Sequence, residues 1–319
     1  MSDCVANGDT LPDLLQRKRE VRGEEVFYRF ANGLTIKSEV FDKEDPLRLL
    51  PLGSPQSGLM NHMVNFPGIV RDKLVLEPFA GSGPLGFMAL ILGARLVDFL
   101  DINPRASQFQ RDTAELNQFS LDRFTSITAD LANFIPNRKY DFIVANPPFV
   151  PTPDGIDGTI TSNGGPEGNR FVEILFRRLE EFLQPNGEAL IYLFQFVKNG
   201  QPLVGDLISK MLKGRLVELT PAQKHHISFE VYRAAYSKVF PDATEAIERW
   251  QCNLVQKYGK GLTLCHYIVH VGPHAAAASS CVFRDNFSEK FGKMHLVPSD
   301  DEEQLALGRV LENVVVRVR

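Results

Sequence analysis

From residue 73 to residue 219 the chain alternates short apolar runs with longer stretches of helical period. Residues 74–76, 96–100, 125–129, 140–145, 188–196 and 215–219 are rich in β-forming side chains and read as strands. Residues 84–93, 104–119, 169–183 and 202–213 carry helical spacing; on 169–183, Phe171, Ile174, Leu175, Leu179 and Phe182 share one side. Pro84 stands at a first helical position and Gly93 near an end. Strands that alternate with helices and read as continuously apolar must be covered on both faces. The pattern therefore predicts a doubly wound α/β sheet, mostly parallel, with helices on both sides.

The flanks are less regular. Residues 1–23 are polar and read as a tail or short helix. Residues 26–30 and 34–40 flank Asn32-Gly33, a hairpin signal. Residues 42–58, with Pro46, Pro51, Gly53, Pro55 and Gly58, read as an irregular approach loop. Pro185-Asn186-Gly187 reads as a turn, residues 222–258 as a helical insert, 261–272 as a last strand and 310–318 as a further β-like run. The expected division is 1–70 for the tail, hairpin and approach loop, 71–273 for the sheet domain with its insert, and 274–319 for a C-terminal extension.

Of the 319 residues, 44% are hydrophobic and 23% charged, and 35 basic against 39 acidic residues leave a net charge of -4. That balance disfavours a large polyanionic partner, since phosphate contacts dominate nucleic-acid affinity. Cys4, Cys252, Cys265 and Cys281 show no C-x-x-C spacing, which points to a reduced, cytoplasmic setting. No run of about 18 apolar residues suggests a membrane span. His266, His270 and His274 share a strand face, but positions i and i+4 there lie about 13 Å apart. No metal site is expected from them. His225-His226 reads as a solvated loop pair.

Chemistry gathers at the strand ends. Glu77-Pro78-Phe79-Ala80-Gly81-Ser82-Gly83 joins a strand to a helix, with glycines that admit a tight turn and close approach of a ligand to the backbone. Asp101 ends the second strand, where a carboxylate either accepts from ribose hydroxyls or caps the next helix; Asn103 before Pro104 suits the cap better. Asp130 ends the third strand and either accepts from an adenine amino group or caps residues 131–135. Asn146-Pro147-Pro148-Phe149 follows the fourth strand. Its prolines stiffen the exit and force an extended path. An amide, a prolyl carbonyl and a ring at the carboxyl edge of such a sheet suit a flat, nitrogen-bearing group.

In this order on successive strand ends, the four motifs resemble the class I S-adenosylmethionine-dependent methyltransferases, in the branch with an Asn/Asp-Pro-Pro-Tyr/Phe motif. The resemblance covers about residues 60–220. It implies a Rossmann-like sheet with an antiparallel last strand and S-adenosylmethionine as cofactor. It also implies that Glu77, Gly81 and Gly83 hold the methionine part, Asp101 the ribose and Asp130 the adenine. Phe79, Ile102, Leu131 and Asn146 count with these cofactor-binding residues. Asn146, Pro147 and Phe149 would hold the nitrogen that is methylated.

Within that branch the hairpin, Asn163-Gly164-Gly165-Pro166-Glu167-Gly168 and Leu183-Gln184-Pro185-Asn186-Gly187 are similar to release-factor glutamine methyltransferases. The implied acceptor is a glutamine-like amide in a protein or peptide. Two alternatives stand beside it. The stretch 77–83 is similar to the Asp-Pro-Phe-x-Gly-Ser-Gly motif of enzymes that methylate amino groups of DNA and RNA bases. A small-molecule acceptor is the other, because an insert between the last strands can roof a pocket. The insert and the C-terminal extension fall outside the resemblance.

Overall fold

The computed structural model describes residues 17–40, 45, 47–156, 162–223, 225–274 and 280–283. Among them, a three-stranded antiparallel sheet leads: β1 (Arg17–Arg22), β2 (Glu25–Phe30) and β3 (Thr35–Glu39). The hairpin expected around Asn32-Gly33 is β2–β3. β1 replaces the end of the expected tail. Its RKREVR sequence has no continuous apolar face, but an edge strand needs only a partner, and β2 supplies one along all six residues.

Helix α1 (Ser54–Asn65) follows, where an irregular loop was expected to reach residue 58. The prolines and glycines there start the helix: Gly53 is its N-cap, Pro55 lies in its first turn, and Gln56 Oε1 accepts from the Gly53 N–H. The alternating core then runs β4 (Leu74–Pro78), α2 (Pro84–Ile91), β5 (Leu96–Asp101), α3 (Ala106–Leu116), β6 (Phe124–Thr128), β7 (Tyr140–Ala145), α4 (Arg170–Phe182), β8 (Leu183–Lys198), β9 (Gln201–Pro202), α5 (Val204–Met211) and β10 (Arg215–Pro221). The turn expected at Pro185-Asn186-Gly187 is a bulge inside β8. Pairing with β7 jumps from Tyr140↔Leu183 to Phe142↔Glu188, so residues 184–187 are extruded.

The insert is helical, as expected: β11 (Ile227–Ser228), α6 (Phe229–Val239) and α7 (Thr244–Tyr258) precede β12 (Thr263–His274). The C-terminal extension contributes β13 (Ser280–Phe283), which the sequence did not announce. The β-like run at 310–318 lies outside the described residues.

The main sheet runs β13-β10-β12-β8-β7-β4-β5-β6. β12 is antiparallel to both its neighbours, and the other adjacent pairs are parallel. Strand alternation divides the core. Val75, Phe142, Val144 and Tyr192 face α1, α2 and the insert, while Leu76, Ile143, Ala145 and Ile191 face α4 and α5. The result is a three-layer, Rossmann-like α/β fold. Its order reverses between β4 and β7, and ligands of open α/β sheets bind at such a point.

Candidate active site

A cleft of about 960 Å³, counting its solvent-open mouth, lies at that point. Its floor is the turn after β4, at Phe79, Ala80, Gly81 and Ser82. Gly83 adopts φ +78°, and a Cβ there would lie 2.8 Å from the Phe99 ring, so only glycine fits. Phe79 also adopts a positive φ, 60°, which costs a non-glycine residue about 1–3 kcal/mol. Its ring meets Phe171 edge-on at 5.9 Å, and both rings line the cleft.

Two groups hold the turn. Asp101 Oδ2 accepts from the Gly81 N–H at 2.6 Å, and Gln110 Nε2 donates to the Gly81 carbonyl at 2.8 Å. Asp101 Oδ1 also accepts from the Asn103 N–H at 2.8 Å. Burial pushes the Asp101 carboxyl above its ordinary 3.8, partly offset by these backbone donors. Asp101, Ile102, Asp130, Leu131 and Asn146 all line the cleft, with Ile102 half exposed. Asp130 Oδ1 accepts from the Ala132 N–H at 2.9 Å, so this carboxylate caps the short turn after β6 while facing the cleft.

Glu77 and Gly83 are not part of the cleft wall. Glu77 is 2% exposed and turns its carboxylate toward α2, accepting from the backbone of Leu85 at 3.2 Å and Gly86 at 2.6 Å. Burial pushes its carboxyl well above the ordinary range. Pro148 lines the cleft, whereas Phe149 is 3% exposed and packs near Tyr192 (5.7 Å) and His266 (6.0 Å). Asn146 lies in the wall, and its Oδ1 is buried with no hydrogen-bond partner among the described residues.

Leu49, Leu50, Leu52 and Gln56, none of them expected at the site, form the opposite wall. This segment is strapped down from both sides. Ser38 Oγ donates to the Leu50 carbonyl at 2.8 Å, and Glu39 Oε2 accepts from the Leu49 N–H at 2.8 Å. From beyond β5, Asn103 Nδ2 donates to the Leu47 carbonyl at 2.6 Å, and Arg105 pairs with Asp45 at 2.9 Å and with Glu39. An apolar triplet (49, 50 and 52) amid turn-formers was the available signal.

A glycine turn, two acidic strand ends and an amide thus meet at the switch point of the sheet. The chain belongs to the methyltransferase small-domain family, whose cofactor is S-adenosylmethionine; residues 58–203 match the family model. Three relatives are similar to it. Methyltransferase HEMK2 of Mus musculus is 33% identical over 161 residues, 47% of this chain and 70% of that protein. A Methanocaldococcus jannaschii chain provisionally named a protein N5-glutamine methyltransferase is 30% identical over 126 residues, 38% of this chain and 62% of its own length. The release factor glutamine methyltransferase of Aquifex aeolicus is 28% identical over 126 residues, 37% of this chain and 44% of its own. The chain thus spans less than two thirds of the last two. No helix among the described residues is long and apolar enough to cross a membrane.

The cleft fits the cofactor on its own terms. An apolar trough for a flat base runs beside carboxylates able to accept from ribose hydroxyls. A donor from such a ligand would favour the charged form of the buried Asp101.

Proposed function

We propose that the chain is an S-adenosylmethionine-dependent N-methyltransferase whose acceptor is a glutamine-like amide in a protein or peptide. One observation carries the reading: Asn146 Oδ1 lies buried, without a partner among the described residues, in the wall of the cleft. A buried acceptor left unmatched costs roughly 1–3 kcal/mol, and a bound N–H recovers it. The names of the Aquifex and Methanocaldococcus relatives, both glutamine methyltransferases, support the amide.

When bound, S-adenosylmethionine supplies a sulfonium methyl group. Asp101 and Asp130 would hold the ribose and the adenine edge, Ile102 and Leu131 would pack on the base, and Phe79 and Gly81 would border the methionine part. Asn146 Oδ1 accepts one N–H of the acceptor NH2, and the Pro147 carbonyl accepts the other. These bonds would draw density onto a nitrogen whose lone pair is delocalised and fix its position in the cleft. The methyl group would pass to this nitrogen, leaving S-adenosylhomocysteine, and the nitrogen's extra proton would leave to water. Placement of this kind can supply about 7–11 kcal/mol of a barrier. Glu77 acts at one remove, by fixing the start of α2.

The test is methyl transfer from labelled cofactor into glutamine-centred peptides, with Asn146→Ala alongside. Turnover should fall at least about 100-fold, as loss of an interaction specific to the transition state does. Affinity for S-adenosylhomocysteine should stay within a few-fold. Label entering RNA instead of protein overturns the amide reading, and an active Asn146→Ala enzyme overturns the site.

A further inference from the structure

The backbone after Asn146 makes a compact platform. The Val150 N–H donates to the Ser162 carbonyl, Gly164 N–H to Val150, Thr152 N–H to Gly165 and Arg170 N–H to Gly164, each at 2.9 Å. The layers touch without side chains between them. A Cβ on Gly164 would lie 2.8 Å from the Phe149 carbonyl carbon, and one on Gly168 would lie 2.5 Å from the Phe149 oxygen.

The insert, about 80 residues further along, reaches this platform with polar ends of aromatic side chains. Tyr232 and Tyr236 on α6 both donate to the Pro151 carbonyl, at 3.2 Å and 2.9 Å. Trp250 Nε1 on α7 donates to the Pro166 carbonyl at 2.8 Å. Lys257 and Tyr258 hold the Glu167 carboxylate at 2.6 Å and 2.8 Å. The Tyr232, Tyr236 and Trp250 rings are at most 3% exposed and pack on one another, with centroids 5.5 Å apart for Tyr236–Trp250 and 6.2 Å for Tyr232–Trp250. Five side chains of one insert thus end on Pro151, Pro166 and Glu167, all between β7 and α4. Two of the three carbonyl bonds converge on Pro151, two residues beyond Phe149.

We propose that α6 and α7 are a clamp on the acceptor loop, with Tyr232, Tyr236 and Trp250 as positioning residues that set the pose of Asn146–Phe149. The clamp rests on the acceptor reading above and goes beyond it, because it assigns the insert a role. Buried aromatic N–H and O–H groups need partners, and ending them on prolyl carbonyls gives fixed anchor points. Neither carbonyl belongs to the cofactor turn. The clamp therefore grips the acceptor loop without touching the turn after β4.

The test uses the full chain, with Tyr232→Phe/Tyr236→Phe and Trp250→Phe, which keep rings while removing the donors. Amide hydrogen exchange should quicken about tenfold at residues 150–170 in the double variant and stay unchanged across β4 and α2. Calorimetry with S-adenosylhomocysteine should show unchanged stoichiometry and an affinity within about twofold of wild type. Turnover of glutamine-centred peptides, normalised to those titrated sites, should fall about tenfold in kcat with the KM for cofactor unmoved. Unchanged exchange at 150–170 overturns the clamp. Faster exchange with unchanged per-site turnover overturns the positioning role. A wild-type enzyme that binds cofactor but methylates no such peptide overturns the acceptor reading, and the exchange result then decides the clamp by itself.

Discussion

Asp101 Oδ2 and the Gly81 N–H lie 2.6 Å apart, a bond that joins the end of β5 to the turn leaving β4. The same carboxylate faces the cleft, so on the proposed reading turn geometry and ribose contact depend on one group. Asp101→Asn places an NH2 group where an acceptor is needed. We expect S-adenosylhomocysteine affinity to fall about 10- to 100-fold, the worth of a charge-assisted bond of roughly 1.5–3 kcal/mol. Burial raises this carboxyl above 3.8. If ribose hydroxyls bind its charged form, wild-type affinity should weaken as pH falls toward the raised value, and Asp101→Asn should lack that limb. Titration calorimetry across pH checks both.

Gly168 adopts φ +76°, and its missing Cβ is what lets the chain touch the Phe149 carbonyl. Gly168→Ala should displace the acceptor loop and reduce methyl transfer at least about tenfold, while cofactor affinity stays within a few-fold. A loss confined to cofactor affinity would contradict the separation of the two halves of the site.

Arg105 ties Asp45, the Leu47 carbonyl and Glu39 together over the cleft. Arg105→Ala should free the wall at Leu49 and Leu50. It removes a partly buried charge pair worth about 1–3 kcal/mol, so S-adenosylhomocysteine should dissociate several-fold faster with little change in its association rate. Stopped-flow exchange measurements separate the two rates.

His62 is 8% exposed, and burial, with His270 beside it, pushes its pKa down from 6.5 to about 4. The unfolded chain therefore binds the proton first as pH falls. Stability is full above 6.5 and declines toward 4. The whole gap is worth about 3 kcal/mol at about 1.4 kcal/mol per pH unit. Urea unfolding of His62→Gln should show a shallower decline than wild type over that window; parallel curves would place the titration elsewhere.

Much of this was legible in the sequence because strand ends are punctuated. Prolines and glycines after β4 and β7, and single aspartates after β5 and β6, mark where the chain leaves the sheet, and these residues surround the cleft. What failed to show has physical causes. β1 is a charged edge strand, and its pairing with β2 leaves no periodic trace in RKREVR. The punctuation at Gly53 and Pro55 is the same for a loop and for a helix start, and here it begins α1. Glu77 sits at a strand end as predicted. Its side chain nonetheless turns to the first N–H groups of α2 instead of the cleft, because two backbone donors there suit a carboxylate. The partners of Tyr232 and Trp250 lie more than 80 positions away, beyond any local pattern.

The insert leaves and rejoins the sheet beside one strand. Ala222 donates its N–H to the His266 carbonyl at 2.7 Å, Ile227 pairs with Leu264, and Phe229 donates to Leu262 at 3.0 Å. Both feet of the excursion stand on β12. A segment anchored this way is a cassette: it can be exchanged or redesigned without changing the order of the strands beneath it. Replacing α6 and α7 would therefore leave the turn after β4 and the ends of β5 and β6 where they stand.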